Sequence, residues 1–251
     1  MLSTAPLILA HRGGGDEAPE NTWAALEHMR AAGLTQLETD VHATADDVVV
    51  LHHDPDLQRM AGRPERIRDL TWDQLRRIRD ISGNPLVRLD EALASFPELN
   101  LNIDAKDAPV VAPLARLTRD HTDRIVLASF SSARLAQLSQ LVPGVRRSLG
   151  MREVGALCAL AAAVPAGFVP HIHRLRAGQI AVQVPERYGP LAVTTPRFIA
   201  ACHALGIEVH VWTVDDPARA RTLVQAGVDG VVTNVPTAVR DTLTQLGPVR
   251  A

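Results

Sequence analysis

Three carboxylic acids at the ends of short apolar runs are candidate ligands for a metal ion. Glu38 and Asp40 are two positions apart, so on a β-strand their side chains lie on the same face. Asp104 ends a second such run. Carboxylates held close together repel one another unless a cation or a proton joins them, and oxygen ligands suit a hard ion such as Mg²⁺ or Ca²⁺. The spacing therefore predicts a site for one divalent cation, and ion pairs with Arg12 and Lys106 are the alternative.

Histidines and basic side chains also follow these apolar runs. His11 and His53 are candidates for a general acid and a general base, since imidazole exchanges protons near neutral pH. Arg12 and Lys106 would bind the oxygens of an anionic substrate, Arg through a planar fork and Lys as a compact charge. Lys106 is the single lysine among 26 Lys and Arg residues. Together with a cation site, these side chains favour phosphoryl transfer over sugar chemistry.

The elements that must position these residues are eight short β-type runs, which alternate with longer amphipathic segments. Such alternation predicts a parallel sheet, and eight units predict closure into a TIM-type (β/α)8 barrel, whose active site lies at the carboxyl ends of the strands. An open doubly wound sheet is the alternative, but Gly13–Gly15 lacks the glycine spacing of its phosphate-binding turn. The predicted strands are Leu7–Ala10, Gln36–Asp40, Leu99–Asp104, Ile125–Ser129, Val145–Leu149, Ile180–Val184, Glu208–Thr213 and Gly230–Thr233. The clearest helical segments are Trp23–Ala32, Ser131–Leu141, Pro196–Leu205 and Pro217–Ala226.

One interval is longer than a crossover connection requires. Roughly 58 residues separate Asp40 from Leu99, whereas most connections in compact domains are much shorter. Val41–Thr44 and Val48–His52 alternate in the manner of a β-hairpin that extends the second strand, and a short helix is predicted near Trp72–Arg79. We interpret about residues 41–98 as a small insertion after the second strand, within a single barrel domain that spans residues 1–251.

Charge and hydropathy argue against several classes of protein. The formal charge is −2 and no long run of one sign occurs, so no nucleic-acid partner is predicted. The apolar stretch Ala156–Pro170 is interrupted by a proline and a glycine and is too short to span a membrane. No signal peptide is recognised before His11, and Cys158 and Cys202 have no metal-ligand partners nearby. We therefore expect free thiols and a cytoplasmic protein; the oligomeric state is not indicated.

Short motifs surround the candidate site residues in a characteristic order. His11-Arg12-Gly13 leads to Pro19-Glu20-Asn21-Thr22, and Glu38-x-Asp40 and His53-Asp54 follow. Further blocks are Asp69-Leu70-Thr71, Leu89-Asp90-Glu91, Ala128-Ser129-Phe130, Val211-Trp212-Thr213 and Gly227-Val228-Asp229-Gly230. This series of motifs, from Ile8 to Pro236, resembles the signature of the glycerophosphodiester phosphodiesterase family.

The resemblance implies a barrel enzyme that cleaves glycerophosphodiesters, as small-molecule substrates, to glycerol 3-phosphate and an alcohol. It also implies that the substrate's own 2-hydroxyl attacks first, giving a cyclic phosphate that water then opens. The implied site residues are His11 and His53 for acid–base catalysis, Glu38, Asp40 and Asp104 for one divalent cation, and Arg12 and Lys106 for the phosphate.

Two further residues are assigned to substrate binding, and two positions depart from the family pattern. Glu20 belongs to the Pro19–Thr22 block. Trp212 ends the seventh predicted strand, where contact with the glycerol or alcohol group and simple packing are both open. Asp104 stands where the family usually has Glu, one methylene longer, so its contact with the cation is expected through water. Asn234 stands where Asp is common, so no charged role is expected there.

Two rival functions use the same barrel. A lysophospholipase D-like phosphodiesterase would need an apolar groove beside the phosphate site, for which Leu57, Met60 and Trp72 are candidates. A non-catalytic phosphodiester-binding barrel is disfavoured, because both histidines and all three acids are present. The pair His171-x-His173 has the spacing of a metal-binding motif, but it lies in the middle of the chain rather than after the first strand, and we assign it no role.

Overall fold

Short runs of residues form strands along the described part of the chain. A computed structural model describes residues 5–163 and 179–251, and within them twelve strands occur. They are β1 Leu7–His11, β2 Gln36–Ala43, β3 Val49–Leu51, β4 Val87–Arg88, β5 Asn100–Ala105, β6 Ile125–Ala128, β7 Arg146–Ser148, β8 Gln179–Pro185, β9 Arg187–Tyr188, β10 Leu191–Ala192, β11 Glu208–Trp212 and β12 Gly230–Thr233.

Eight of these strands close into a parallel barrel. The order around it is β1, β2, β5, β6, β7, β8, β11 and β12, and β1 pairs with both β2 and β12. Closure leaves none of these eight strands as a free edge. The predicted TIM-type (β/α)8 barrel is therefore confirmed, and each predicted strand overlaps one strand of the barrel.

Ten α-helices occur in the described part of the chain, and most of them connect consecutive barrel strands. The four helices predicted most clearly are all present, and two of them begin at a proline that follows a capping side chain. No helix in the described ranges is long and apolar enough to cross a membrane. The helices are α1 Trp23–Ala31, α2 Gln58–Ala61, α3 Trp72–Leu75, α4 Leu89–Ser95, α5 Val111–Thr118, α6 Ser132–Leu141, α7 Met151–Ala163, α8 Pro196–Ala204, α9 Pro217–Gln225 and α10 Pro236–Thr244.

Successive residues of the barrel strands face different surroundings. In β2, Leu37 and Val41 lie in the apolar core between the strands and the helices. Because side chains alternate along a strand, Glu38 and Asp40 point into the barrel. The register pairs Asp40 with Asp104 of β5, so the acids of the two strands lie side by side at the carboxyl end of the barrel.

The segment between β2 and β5 contains both an insertion and a regular crossover helix. β3 pairs antiparallel with the extended end of β2, which confirms the predicted hairpin, and β4 pairs with β3. The insertion has its own small apolar cluster, formed by Val50, Leu57, Ile67, Leu75 and Ile78. Helix α4 packs in the main core instead. The crossover helix therefore lies within the range predicted for the insertion.

Candidate active site

The carboxyl ends of β2 and β5 bring two aspartates and the single lysine together. Lys106 Nζ lies 2.6 Å from Asp40 Oδ1 and 2.8 Å from Asp104 Oδ2. Burial opposes the charge of Lys106, but the two carboxylates outweigh it and raise the pKa of this ammonium group. The ion pairs considered as the alternative to a metal site are thus present in this structure.

Arg12 reaches the same acids from the loop after β1. Its Nε lies 3.0 Å from Asp40 Oδ2, and its Nη1 lies 3.1 Å from Glu20 Oε2. The loop turns sharply, with left-handed backbone at Arg12 (φ 54°) and Gly13 (φ 87°). A Cβ atom added at Gly13 would lie 2.7 Å from the Cβ of Ala25 in α1. Glycine at this position therefore lets the loop bend against α1 and direct Arg12 into the barrel.

Replacing this glycine should disturb the fold and the site together. We expect Gly13→Ala to destabilise the protein by about 2–5 kcal/mol, because a left-handed residue costs about 1–2 kcal/mol and overpacking about 1–3 kcal/mol. Gly33→Ala is the matched control, since Gly33 also has a positive φ but an added Cβ there meets nothing within 4 Å. The control should lose only the backbone part, about 1–2 kcal/mol. Urea denaturation measures both, and equal losses would contradict the contact with Ala25.

The Pro19–Thr22 block anchors the far end of this loop. The backbone N–H of Asn21 donates to Arg12 O at 2.8 Å, and its side-chain Oδ1 accepts a hydrogen bond from Thr39 of β2 at 2.7 Å. Thr22 caps α1, because its hydroxyl oxygen accepts the backbone N–H of Ala25 at 3.2 Å. The block therefore fixes the loop to β2 and to the start of α1.

A chain of alternating charges joins this loop to the insertion. Glu20 Oε1 lies 2.7 Å from Arg59 Nη2, and Arg59 Nε lies 2.6 Å from Asp54 Oδ2. Asp54 Oδ1 in turn lies 2.7 Å from His53 Nδ1. Burial raises the pKa of Asp54, but hydrogen bonds from His53 and Arg59 outweigh burial, so the net shift is downward. Because an ionised carboxylate only accepts, Nδ1 of His53 carries the hydrogen and Nε2 is left for a substrate.

His11 is oriented by a different set of partners. Its Nδ1 lies 2.7 Å from Asn234 Oδ1, and the amide nitrogen of Asn234 donates to Asp215 Oδ2 at 3.0 Å. Because an amide oxygen only accepts, Nδ1 carries the hydrogen and Nε2 is the basic nitrogen of the neutral ring. Burial, and then the charge of Arg12, lower the pKa of His11 despite its bond to Asn234. His11 is therefore a neutral imidazole that can accept a proton.

Glu38 is the acid of the site that has no ion pair with Lys106 or Arg12. Its Oε2 lies 3.9 Å from His11 Nε2. Burial, followed by the charges of Asp40 and Asp104, raises its pKa well above the ordinary value. Three acids thus share two cationic side chains, Lys106 and Arg12, so ionisation of Glu38 would leave a negative charge without a cationic partner.

The donor chemistry at this end of the barrel fits a hard cation. Asp104 Oδ1 is buried and has no hydrogen-bond partner within the described residues. Acid oxygens are the ligands that Mg²⁺ and Ca²⁺ prefer in proteins. In the ranges described, however, no three His, Cys, Asp or Glu side chains are already placed to hold a metal ion. At this site Lys106 lies between Asp40 and Asp104.

Aromatic side chains border the site at the carboxyl ends of β6 and β11. The rings of Phe130 and Trp212 meet edge to face, with centroids 5.8 Å apart. Lys106 Nζ lies 5.9 Å from the centroid of the Phe130 ring, and half of the Phe130 side chain is exposed. Trp212 therefore packs on a neighbour and also borders the mouth of the barrel, so both of its proposed roles remain open.

The three residues considered for an apolar groove do not form one surface. Leu57 is buried, and together with Met60 it lines a small cavity of about 30 Å³ between the insertion and residues 20–22. Trp72 lies beside the guanidinium of Arg88, whose carbon is 5.5 Å from the ring centroid. His171 and His173 lie outside the described residues.

Two residues of the site were missed by sequence reasoning. Arg59 is one of 25 arginines and lies on a four-residue helix of the insertion, so nothing in its surroundings distinguished it. Asp215 follows β11 directly, and its position after a predicted barrel strand was the available signal. The role of Asn234, in contrast, follows only from its contact with His11.

Comparisons with known proteins agree on one family. Residues 11–238 match the Glycerophosphoryl diester phosphodiesterase family. The chain is 32% identical to the probable glycerophosphodiester phosphodiesterase 2 of Mycobacterium tuberculosis, over 96% of this chain and 92% of that protein. It is 26% identical to a human lysophospholipase D, over 94% of this chain and 85% of that protein.

Solved structures agree on the fold. A phosphodiesterase from Oleispira antarctica, determined with its product sn-glycerol-3-phosphate, superimposes with a TM-score of 0.78 and 19% identity. The match covers 96% of this chain and 97% of that chain. At this identity the likeness concerns the barrel architecture alone.

Proposed function

Because the chain belongs to the glycerophosphoryl diester phosphodiesterase family and is an enzyme of that class, we propose that it uses a divalent cation and two histidines to release glycerol 3-phosphate and an alcohol. The observation that carries the proposal is the cluster at the carboxyl ends of β1, β2 and β5. There, Lys106 and Arg12 contact the buried acids, and His11 Nε2 lies 3.9 Å from Glu38.

The two histidines have distinct hydrogen-bond partners, which supports distinct roles. His11 is held by a neutral amide and has a lowered pKa, which suits a general base that takes a proton from the attacking hydroxyl. His53 is held by the ionised Asp54, and a carboxylate partner orients an imidazole and stabilises its protonated form. We therefore assign His53 as the general acid that protonates the leaving alcohol.

Glu38, Asp40 and Asp104 are the residues that would hold the cation. When bound, a divalent cation polarises the phosphate and lowers the cost of charge build-up on its oxygens. Lys106 would then leave its place between Asp40 and Asp104 and bind a phosphate oxygen. Arg12 keeps the charge of Asp40 balanced and presents its remaining N–H groups to the same anion.

The compact charge of Lys106 is central to this exchange of partners. We expect Lys106→Arg to lower kcat/KM at least about tenfold, or roughly 1.4 kcal/mol of transition-state binding. A guanidinium is wider than an ammonium group and would not fit the compact space between Asp40 and Asp104 from which Lys106 moves to the phosphate. Lys106→Met should cost more, since it also removes the charge that faces the phosphate. Steady-state kinetics measures both variants.

The matched control for this prediction is Arg116→Lys. Arg116 forms an exposed ion pair with Asp47 on the surface, so exchanging its head group should leave kcat/KM unchanged. Thermal unfolding of each variant separates loss of structure from loss of chemistry. A Lys106→Arg enzyme as active as the parent would contradict the assignment of Lys106 to the phosphate.

The proposed function is tested with a panel of substrates and cations. Glycerophosphocholine, glycerophosphoethanolamine and glycerophosphoglycerol are each incubated with Mg²⁺, Ca²⁺ or Mn²⁺, and glycerol 3-phosphate is measured. Release of glycerol 3-phosphate from at least one of them is expected. Release of glycerol, with the phosphate left on the alcohol, would place the cleavage on the other side of the phosphorus and contradict the proposal.

A lysophospholipid substrate is a second candidate, and one observation favours it. Exposed apolar side chains follow β6, β7 and β8 at the carboxyl end of the barrel, namely Phe130, Met151, Tyr188 and Leu191. Such a border would contact an acyl chain. If lysophospholipids are substrates, Met151→Ser should raise KM for lysophosphatidylcholine and not for glycerophosphocholine. Leu246→Ser, an exposed leucine after α10, is the control and should change neither value.

A further inference from the structure

A second polar cavity lies at the amino-terminal end of the barrel, opposite the candidate active site. It has a volume of about 200 Å³ and is lined by inward-facing residues near the starts of the barrel strands. Asn100 and Asp104 of β5 mark the two ends, and four residues of strand separate them by about 13 Å. The lining reaches Asn102, which pairs with Glu38 in the register and lies two positions from Asp104, but Glu38, Asp40 and Asp104 are not part of it.

Four buried polar atoms in this cavity lack a hydrogen-bond partner within the described residues, although Arg250 Nη2 forms an ion pair with Glu208 Oε1 at 3.7 Å. They are Asn102 Oδ1, Arg146 Nε, His210 Nδ1 and Arg250 Nη2. Asn102 and His210 are each only 5% exposed. Buried polar atoms without partners are costly, so their grouping around one cavity points to a ligand that supplies the missing hydrogen bonds.

The missing bonds are of two kinds. Arg146 Nε and Arg250 Nη2 are donors and require acceptor oxygens. His210 Nε2 lies 3.2 Å from Glu208 Oε2 and carries the hydrogen between them. Asn102 donates its amide hydrogen to Gln183 at 3.4 Å, which leaves its Oδ1 as an acceptor. A ligand that satisfies both kinds carries acceptor oxygens and at least one hydroxyl.

The charge of the lining selects an anion. Three arginines line the cavity, while Glu208 is the one carboxylate among its described lining residues. Burial raises the pKa of Glu208, but His210 and the arginines outweigh burial and lower it, so Glu208 is ionised and positive charge remains in excess. Arg124 donates hydrogen bonds to the backbone oxygens of three residues, and the shortest of these bonds is 2.8 Å. Arg146 and Arg250 are therefore the arginines left to bind a ligand.

The size and exposure of the cavity admit a ligand from solvent. Its volume of about 200 Å³ is many times the roughly 10–15 Å³ that one water molecule needs. Exposure of the side chains falls from 32% at Arg250 to 13% at Glu208 and 6% at His210. This decrease in exposure indicates that the cavity opens to solvent at Arg250 and that its other polar atoms lie deeper.

We propose that this cavity is a binding site for a small tetrahedral oxyanion that carries a hydroxyl group, of the class of hydrogen phosphate. Its oxygens accept from Arg146 and Arg250, and its hydroxyl donates to Asn102. The anion would tie together β5, β7, β11 and the C-terminal segment, and its effect would be on stability rather than on the reaction.

Thermal unfolding with phosphate and with sulfate tests the proposal. Both salts stabilise proteins in general, but sulfate has no hydroxyl near neutral pH. The Lys106→Met protein is used so that binding at the active site contributes little. At a tenfold excess over Kd we expect phosphate to raise Tm by about 3 °C beyond sulfate at equal ionic strength. Equal shifts with the two salts would overturn the proposal.

Variants and anomalous scattering locate the bound ion. Arg146→Gln and Arg250→Gln, each added to Lys106→Met, should remove the excess shift, while Arg119→Gln, at an exposed arginine outside the cavity, should keep it. Should the arginine variants fail to fold, crystals of the unaltered protein soaked in arsenate provide a second measurement. Anomalous density beside Arg146 and Arg250 is expected. Water alone in the cavity, or an excess shift retained by both arginine variants, would overturn the site.

Discussion

EDTA is expected to abolish hydrolysis of glycerophosphodiesters, and added Mg²⁺ or Ca²⁺ to restore it. Three acids converge at the carboxyl ends of β2 and β5, and Lys106 and Arg12 are the two cationic side chains that balance them. A bound cation would favour ionisation of Glu38 beside Asp40 and Asp104, and it would offset the repulsion between these carboxylates and an anionic phosphate. The measurement is the steady-state rate of metal-depleted enzyme, titrated with each ion. Full activity of the metal-depleted enzyme would contradict the metal site.

A variant of Glu38 gives a readout that does not depend on activity. Glu38→Gln should fold normally, because burial already raises the pKa of this carboxyl and the amide has nearly the same shape. At a cation concentration about 100 times Kd, the parent should gain about 2.7 kcal/mol of stability, and Glu38→Gln should gain little. Glu91→Gln, at an exposed acid of α4, should respond like the parent. A cation-induced rise in Tm that survives in Glu38→Gln would remove this residue from the proposed site.

Alanine at either histidine is expected to lower kcat by about 100-fold or more, with a modest change in KM. His11 offers a basic Nε2 because Asn234 accepts its Nδ1 hydrogen, and His53 is held by Asp54. The two rings act on the same proton transfer sequence, so the double variant should be little worse than the worse single variant. Single-turnover and steady-state rates measured on the same substrate separate chemistry from product release.

His28→Ala is the control for this pair of variants. His28 lies on α1 and bonds to Glu17, away from the acids of the site, so its removal should leave kcat unchanged. Asn234→Ala should lower kcat less than His11→Ala, because the Asn234 variant loses the hydrogen bond that orients the imidazole of His11 but keeps the imidazole itself. Near-parent kcat in His11→Ala or His53→Ala would remove that histidine from the proposed mechanism.

The barrel was predictable because its signals are local. The order of strands follows from eight apolar runs separated by helical segments. The crossover connections between parallel strands are right-handed, so consecutive strands are added in one direction around the barrel. The spacing of Glu38 and Asp40 placed both on one face, and the register with Asp104 followed from the adjacency of successive strands. The extent of the insertion was less predictable, because α4 belongs to the barrel by its packing and not by its position in the chain.

The sequence by itself determined which chemical groups stand at the ends of the strands. The tertiary structure decided how they pair: Lys106 with two aspartates, His11 with Asn234, and Glu20 with Arg59 of the insertion. It also decided that unpartnered groups from β5, β7 and β11 share one cavity at the opposite end. The physical reason is that strand periodicity fixes the direction of a side chain within its own element. The partner of that side chain depends on loops and distant elements that meet only when the barrel closes.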